Sequence, residues 1–255
     1  MFLKKYYDLT ISTCYKDPTL YKETTPNYLK PSKISWWDKL KIVNPEKKNP
    51  DVINMKACKG FIDFYQQAIS LPSPFEIKIK YTEEEDKIDY VPNYSLHGPL
   101  EYQNFNQDSQ VAVVQTHAVE QWGDAFPTMR QIKLSYPWHL EGPKGHQFLL
   151  TSNFWQTKKN IQILNGVLDF YYMHQMHIQF FIETKDQELI FEFGESPAVL
   201  LPLNNKAKYK IHYNYVPVEE WNALQSSIMY PLSKRNIFNK YQKHKNIKDR
   251  LTKIK

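Results

Sequence analysis

The 255 residues suffice for one large β domain with appendages or for two small domains, and a 42% apolar share is enough to fill a core. Net charge is +6, yet residues 231–255 alone carry +8, so the basic balance describes an appendage and the other 230 residues sum to −2. Only Cys14 and Cys58 are present, which excludes a disulfide framework or a cysteine-built zinc cluster, and no run reaches the roughly 18–20 apolar residues of a membrane span.

Reduced thiols are the expectation for both cysteines. The first residues, MFLKKYYDLTIS, lack the continuous apolar stretch of a secretory signal, so a protein that is neither secreted nor membrane-embedded is expected. Residues 1–56 are polar, aromatic and rich in Lys and Pro, and read as an irregular arm with a short strand at Leu9–Ser12. Trp36 and Trp37 are expected to cover a core edge.

Residues 57–217 read as a β-rich core. A short helix near 58–68 places Phe61, Phe64, Tyr65 and Ala68 on one face, with Pro72 and Pro74 ending it. Phe75 to Tyr81 then alternates strictly, as a half-buried strand does, and Glu83–Asp86 reads as a solvated turn. Residues 92–110 read as a long polar loop and Val111–Gln115 as a short strand. From Trp138 to Pro202, short alternating runs lie between Pro143-Lys144-Gly145, Gly166-Val-Leu-Asp169 and Gly194-Glu-Ser-Pro197. The clearest strands are Met173–Ile182, Leu189–Phe193, Ala198–Leu203 and Ala207–Tyr215. With one helix against so many strands, an all-β-dominated barrel-like or sandwich fold follows. Residues 218–255 read as a helix running into a basic, partly helical tail.

The order of landmarks resembles an uncharacterised family of tailed-phage proteins common in marine phages. The matching pieces are Trp36-Trp37, Cys58–Asp63 with Ser73–Ile77, Lys133–Trp138 with Gly142–Gly145, Gly166–Asp169, Gly194–Pro197 with Leu201-Pro202, and the lysine-rich C-terminus. That resemblance implies a phage-encoded protein of unknown function, located in the host cytoplasm during infection or in the virion, and it transfers no active site. Within it, Gly166-Val-Leu-Asp169-Phe-Tyr-Tyr172 resembles the dUTPase motif in which an aspartate activates water and a tyrosine supports uracil. This implies a β-clip-like core, compatible with a homo-oligomer, and makes Asp169 and Tyr172 the candidate catalytic pair. The chain departs from that family at the phosphate segment, where Leu150-Thr-Ser-Asn-Phe-Trp-Gln156 stands instead of Arg-Ser-Ser, and it lacks the glycine-rich C-terminal flap.

Three other constellations carry chemistry. His139-Leu-Glu141 has the His-x-carboxylate form of half a non-haem iron triad, which His146, His177 or His212 would complete on a jelly-roll-like (cupin-like) fold. His174 and His177, three apart on a strand, face opposite sides and so cannot share an ion, leaving His174 as a hydrogen-bonded interior histidine. The tail residues Lys234, Arg235, Lys240, Lys243, Lys245, Lys248 and Arg250, with Phe238 and Tyr241 among them, suit a polyanion or nucleic acid. Taken together, these residues favour a non-catalytic binding or structural protein, with a nucleotide hydrolase or an iron oxygenase as the alternative. No cofactor is specified by the sequence.

Overall fold

The computed structural model describes residues 6–13, 25–29, 58–73, 76–82, 87–93, 114–116, 129–153, 161–183, 188–204, 207–217 and 219–221. They form fourteen strands and one full helix: β1 (Tyr6–Thr13), β2 (Asn27–Tyr28), α1 (Lys59–Gln67), β3 (Ile69–Leu71), β4 (Glu76–Thr82), β5 (Lys87–Asn93), β6 (Val114–Thr116), β7 (Met129–Glu141), β8 (Phe148–Ser152), β9 (Ile161–Ile163), β10 (Gly166–Leu168), β11 (Gln175–Glu183), β12 (Glu188–Phe191), β13 (Ala198–Pro202) and β14 (Lys208–Tyr215). Residues 219–221 begin a second helix. The fold is all-β-dominated and sandwich-like, as expected from the alternating runs.

A six-stranded sheet has the order β14-β1-β7-β11-β9, with β6 also on β7; a five-stranded sheet has the order β10-β8-β13-β3-β2; a small third sheet is β12-β4-β5. Their inner faces meet in one core. Leu9, Ile11, Ile132, Leu134, Trp138, Leu140, Ile178 and Phe180 come from the first sheet, Ile69, Leu71, Phe148, Leu150, Ala198 and Leu200 from the second, and Ile77, Ile79, Leu189 and Phe191 from the third. On each strand these are alternate residues, so the period-2 pattern of the sequence is the core-facing set. The Phe180 and Phe191 rings, 5.4 Å apart and near perpendicular, tie the small sheet to the first.

The described part of the N-terminal arm is not irregular. Strand β1 lies between β14, to which it is parallel over eight pairs, and β7, to which it is antiparallel. Its alternating Leu9 and Ile11 are fully buried, which is why the segment is held in the sheet. Strand β2 joins the second sheet through β3. Helix α1 buries Phe61 and Tyr65, and the backbone turns directly into β3 at Ala68, ahead of both prolines. Cys58, just before the helix, is an exposed free thiol; Cys14, Trp36, Trp37 and Glu83–Asp86 lie outside the described residues.

Strand β7 is longer than its sequence suggests, because Pro137 sits inside it. The pairing with β11 runs Gln175↔His139 and then His177↔Ser135, so three residues of β7 face one of β11. Proline supplies no ladder donor, and a bulge accommodates it. Past β7, His146 donates its backbone N–H to the Pro143 carbonyl at 3.2 Å, closing a turn in which Gly145 has φ 79°. Gly166 lies in a short strand, and the turn that follows is built by residues 169–172.

Candidate metal centre

Directly paired cross-strand residues share a face. On β7 the even positions 132, 134, 138 and 140 enter the core, so Gln131, Lys133, Ser135, His139 and Glu141 occupy the outer face. Pairing adds Ser12 opposite His139, Thr10 opposite Glu141, and His177 and Gln179 opposite Ser135 and Lys133. This face is polar yet withdrawn from solvent: Gln131, Ser135 and His139 are buried, and the Gln131 amide donates to Gln179 Oε1 at 2.6 Å.

His174 precedes β11 and is locked onto β7 by two reciprocal bonds. The Leu140 N–H donates to the His174 carbonyl at 2.9 Å, and the His174 Nδ1–H donates to the Leu140 carbonyl at 2.9 Å. With the proton on Nδ1, Nε2 of His174 is the acceptor nitrogen of the neutral ring. A histidine held by its second ring nitrogen on a backbone carbonyl is the usual outer-sphere arrangement of a metal ligand. The His139 ring stacks on that of His174, 4.7 Å between centroids and 21° between planes. Glu141, two residues along the same face, brings Oε1 to 3.4 Å from His139 Nε2.

One donor atom from each of His139, Glu141 and His174 lies within 4.8 Å of the others. Ligands about 2.1 Å from a shared ion stand roughly 3 to 3.5 Å apart, and at 3.4 Å from His139 Nε2 that spacing is already met by Glu141. Its side chain is 54% exposed and has room to turn, whereas the two histidines are 2% and 9% exposed and fixed. Two imidazoles and a carboxylate suit a divalent first-row transition metal. Trp221, at the start of the second helix, presents its ring near-perpendicular to His139 at 6.4 Å and shields this side.

Buried polar atoms beside the cluster point to an incomplete set of partners. His139 Nδ1, Ser135 Oγ and His177 Nδ1 have no hydrogen-bond partner among the described residues. His177 donates Nε2–H to Gln175 Oε1 at 3.1 Å, which makes its Nδ1 an acceptor. Burial, helped by the nearby Lys133 ammonium, pushes the His177 pKa down to about 3. Burial also lowers that of Lys133.

The three histidines expected to complete the triad are engaged elsewhere. His146 Nδ1 meets the Tyr209 hydroxyl at 2.7 Å, with Tyr7 against its ring, His177 faces Gln175, and His212 Nε2 meets Asp8 at 2.7 Å. The third member is His174, set aside on the assumption that it belonged to a strand shared with His177. It does not: β11 starts one residue later, and no strand parity applies. His174 is nonetheless the hydrogen-bonded interior histidine expected.

Asp169 sits in the turn after β10. Its Oδ1 accepts the Tyr171 N–H at 3.1 Å, and its carbonyl accepts the N–H groups of Tyr172 and Met173 at 3.0 and 2.9 Å. This is the Asx-type bonding by which aspartate shapes a turn. Tyr172 is buried, with its ring edge-on to Tyr171 at 4.8 Å. The seven basic tail residues, Lys234 through Arg250, lie outside the described residues. No protein-family model matches the chain, and a search of curated proteins finds no match either.

Proposed function

We propose that the chain is a metal-binding β-sandwich protein whose site is His139, Glu141 and His174, holding one divalent transition-metal ion. The observation that carries the reading is the convergence, within 4.8 Å, of one donor atom each from two buried imidazoles, His139 and His174, and from the Glu141 carboxylate. The binding role read from the sequence thereby acquires a ligand. The resemblance of the sequence landmarks to tailed-phage proteins supports a role in the infected host or the particle. No helix among the described residues is long and apolar enough to cross a membrane.

The test is metal titration of the purified full chain with Co(II) and Zn(II), followed by visible spectroscopy of the Co(II) form and by calorimetry. One equivalent binds, with Co(II) bands typical of nitrogen and oxygen ligands, and His139→Ala, Glu141→Gln and His174→Ala each remove it. Unchanged stoichiometry in all three variants would sink the proposal.

The same donor set also favours a second reading, an iron(II) oxygenase. Such an enzyme using an oxo-acid co-substrate needs a cationic anchor near the ion. Arg130, the sole arginine among the described residues, lies nine positions from His139 along β7, roughly 30 Å at about 3.3 Å per residue. Dioxygen uptake by the iron-loaded chain separates this reading from simple binding. The hydrolase reading rests on Asp169 and Tyr172, and neither the Asx bond nor the burial of Tyr172 favours it.

A further inference from the structure

At the other end of the face that carries the metal cluster, β1 and β14 begin side by side. Tyr6 pairs with Lys208 there, six residues along β1 from Ser12, which itself pairs with His139. Between this corner, the end of α1 and β2 lies a cavity of about 300 Å³, walled by Tyr6, Tyr28, Gln66, Gln67, Lys208 and Tyr209. That volume is at the lower end of small-molecule sites and fits one ring system with its substituents.

The wall has two kinds of surface. Tyr28 is fixed: its hydroxyl donates to the Tyr209 carbonyl at 2.8 Å and accepts the Tyr209 N–H at 3.1 Å. Both polar functions of Tyr28 are thus used, and its ring is left as a rigid partner for stacking. Tyr6 is 62% exposed, an unusual position for a large aromatic side chain on a sheet. The side chains of Gln66, Gln67 and Lys208 make no hydrogen bond or ion pair among the described residues. Two carboxamides offer donors and acceptors in complementary pairs, and the ammonium offers a cation from the strand position paired with Tyr6.

We infer that this cavity binds a mononucleotide, with the base against Tyr6 and Tyr28, a glutamine carboxamide on the base edge, and Lys208 on the phosphate. Tyrosine faces accept any base, while carboxamides match the paired donor and acceptor of a base edge. A lysine serves phosphate as a point charge. A neutral sugar would use the rings and the carboxamides but leave Lys208 idle. The inference is independent of the metal site and involves no bond-breaking step.

Ligand-observed NMR and equilibrium dialysis on the full chain, with the four common nucleoside monophosphates, their nucleosides and neutral monosaccharides as probes, decide it. A monophosphate binds more tightly than its nucleoside. Lys208→Gln erases that difference, about tenfold, the scale of a hydrogen bond to a charged group. Tyr6→Ala weakens monophosphate and nucleoside alike, and since both positions are exposed the fold is retained, checked by an unchanged melting temperature. Binding of no probe overturns the inference, as does equal binding of nucleoside and monophosphate by the unaltered chain, a preference for the monosaccharide, or binding indifferent to both substitutions.

Discussion

Two short segments stand out in the sequence for their chemistry, the Gly166–Tyr172 turn and the His139–Glu141 pair, and the fold treats them in opposite ways. In the first, the aspartate bonds within its own segment: Asp169 accepts amides from Tyr171, Tyr172 and Met173, and Phe170 and Tyr172 are buried. In the second, the segment is met by His174, a residue from outside it that bonds through Nδ1 to the Leu140 carbonyl. A carboxylate satisfied by neighbours in sequence shapes the chain. Donors brought together from distant parts of the chain are where a ligand fits.

That contrast breaks most visibly in the hydrophobic half of the turn. Phe170→Ala removes a ring 1% exposed and 5.2 Å from Phe148, and should cost about 3–5 kcal/mol in chemical denaturation, with metal stoichiometry kept in whatever fraction remains folded. His174→Ala should do the reverse, lowering Co(II) affinity by about a hundredfold or more, beyond the loss expected of an outer-sphere partner. Its unfolding midpoint without metal should move far less than that of Phe170→Ala.

Next in size is an acid effect centred on His177. Its folded pKa of about 3 lies below the ordinary 6.5, so the unfolded chain takes up a proton that the folded chain refuses. The contribution is intact above pH 6.5 and is lost as pH falls from there toward 3, at no more than about 1.4 kcal/mol per pH unit. The groups facing the ring are Lys133, Gln175 and Ser135, and none supplies a negative charge that would hold the proton. His177→Gln should flatten the slope of stability against pH in that window; an unchanged slope would place the acid sensitivity elsewhere. Smallest is Asp169→Ala, about 0.5–1.5 kcal/mol from the lost amide bond, with metal binding untouched. A loss of Co(II) binding in Asp169→Ala would dissolve the distinction between the two segments.

What the sequence disclosed follows the range of the interaction. Alternation over seven or more residues was enough for β4, β11 and β14, and the i, i+3, i+4 spacing of Phe61, Phe64 and Tyr65 was enough for α1. Strands β9 and β10, three residues each, are too short to show a period, and they exist because β11 and β8 pair with them. Strand β7 was not legible as one element, since a proline such as Pro137 stops a ladder unless a bulge on a long central pairing absorbs it. The His139 and Glu141 pair is legible because i and i+2 share a strand face. Its third member is not, because His174 is placed by hydrogen bonds to Leu140, 34 residues away, rather than by any local pattern.

The parallel seam between β1 and β14 also sets a timetable for synthesis. Strand β1 emerges ahead of the other described strands, yet its partner for eight consecutive pairs lies about two hundred residues downstream. At roughly 5–20 residues per second, β1 waits on the order of 10–40 s with one edge open, and only three pairs to β7 can form in the meantime. A ribosome stalled before Lys208 therefore exposes a strand edge carrying fully buried Leu9 and Ile11 of the finished fold. That edge stays open until β14 closes over β1.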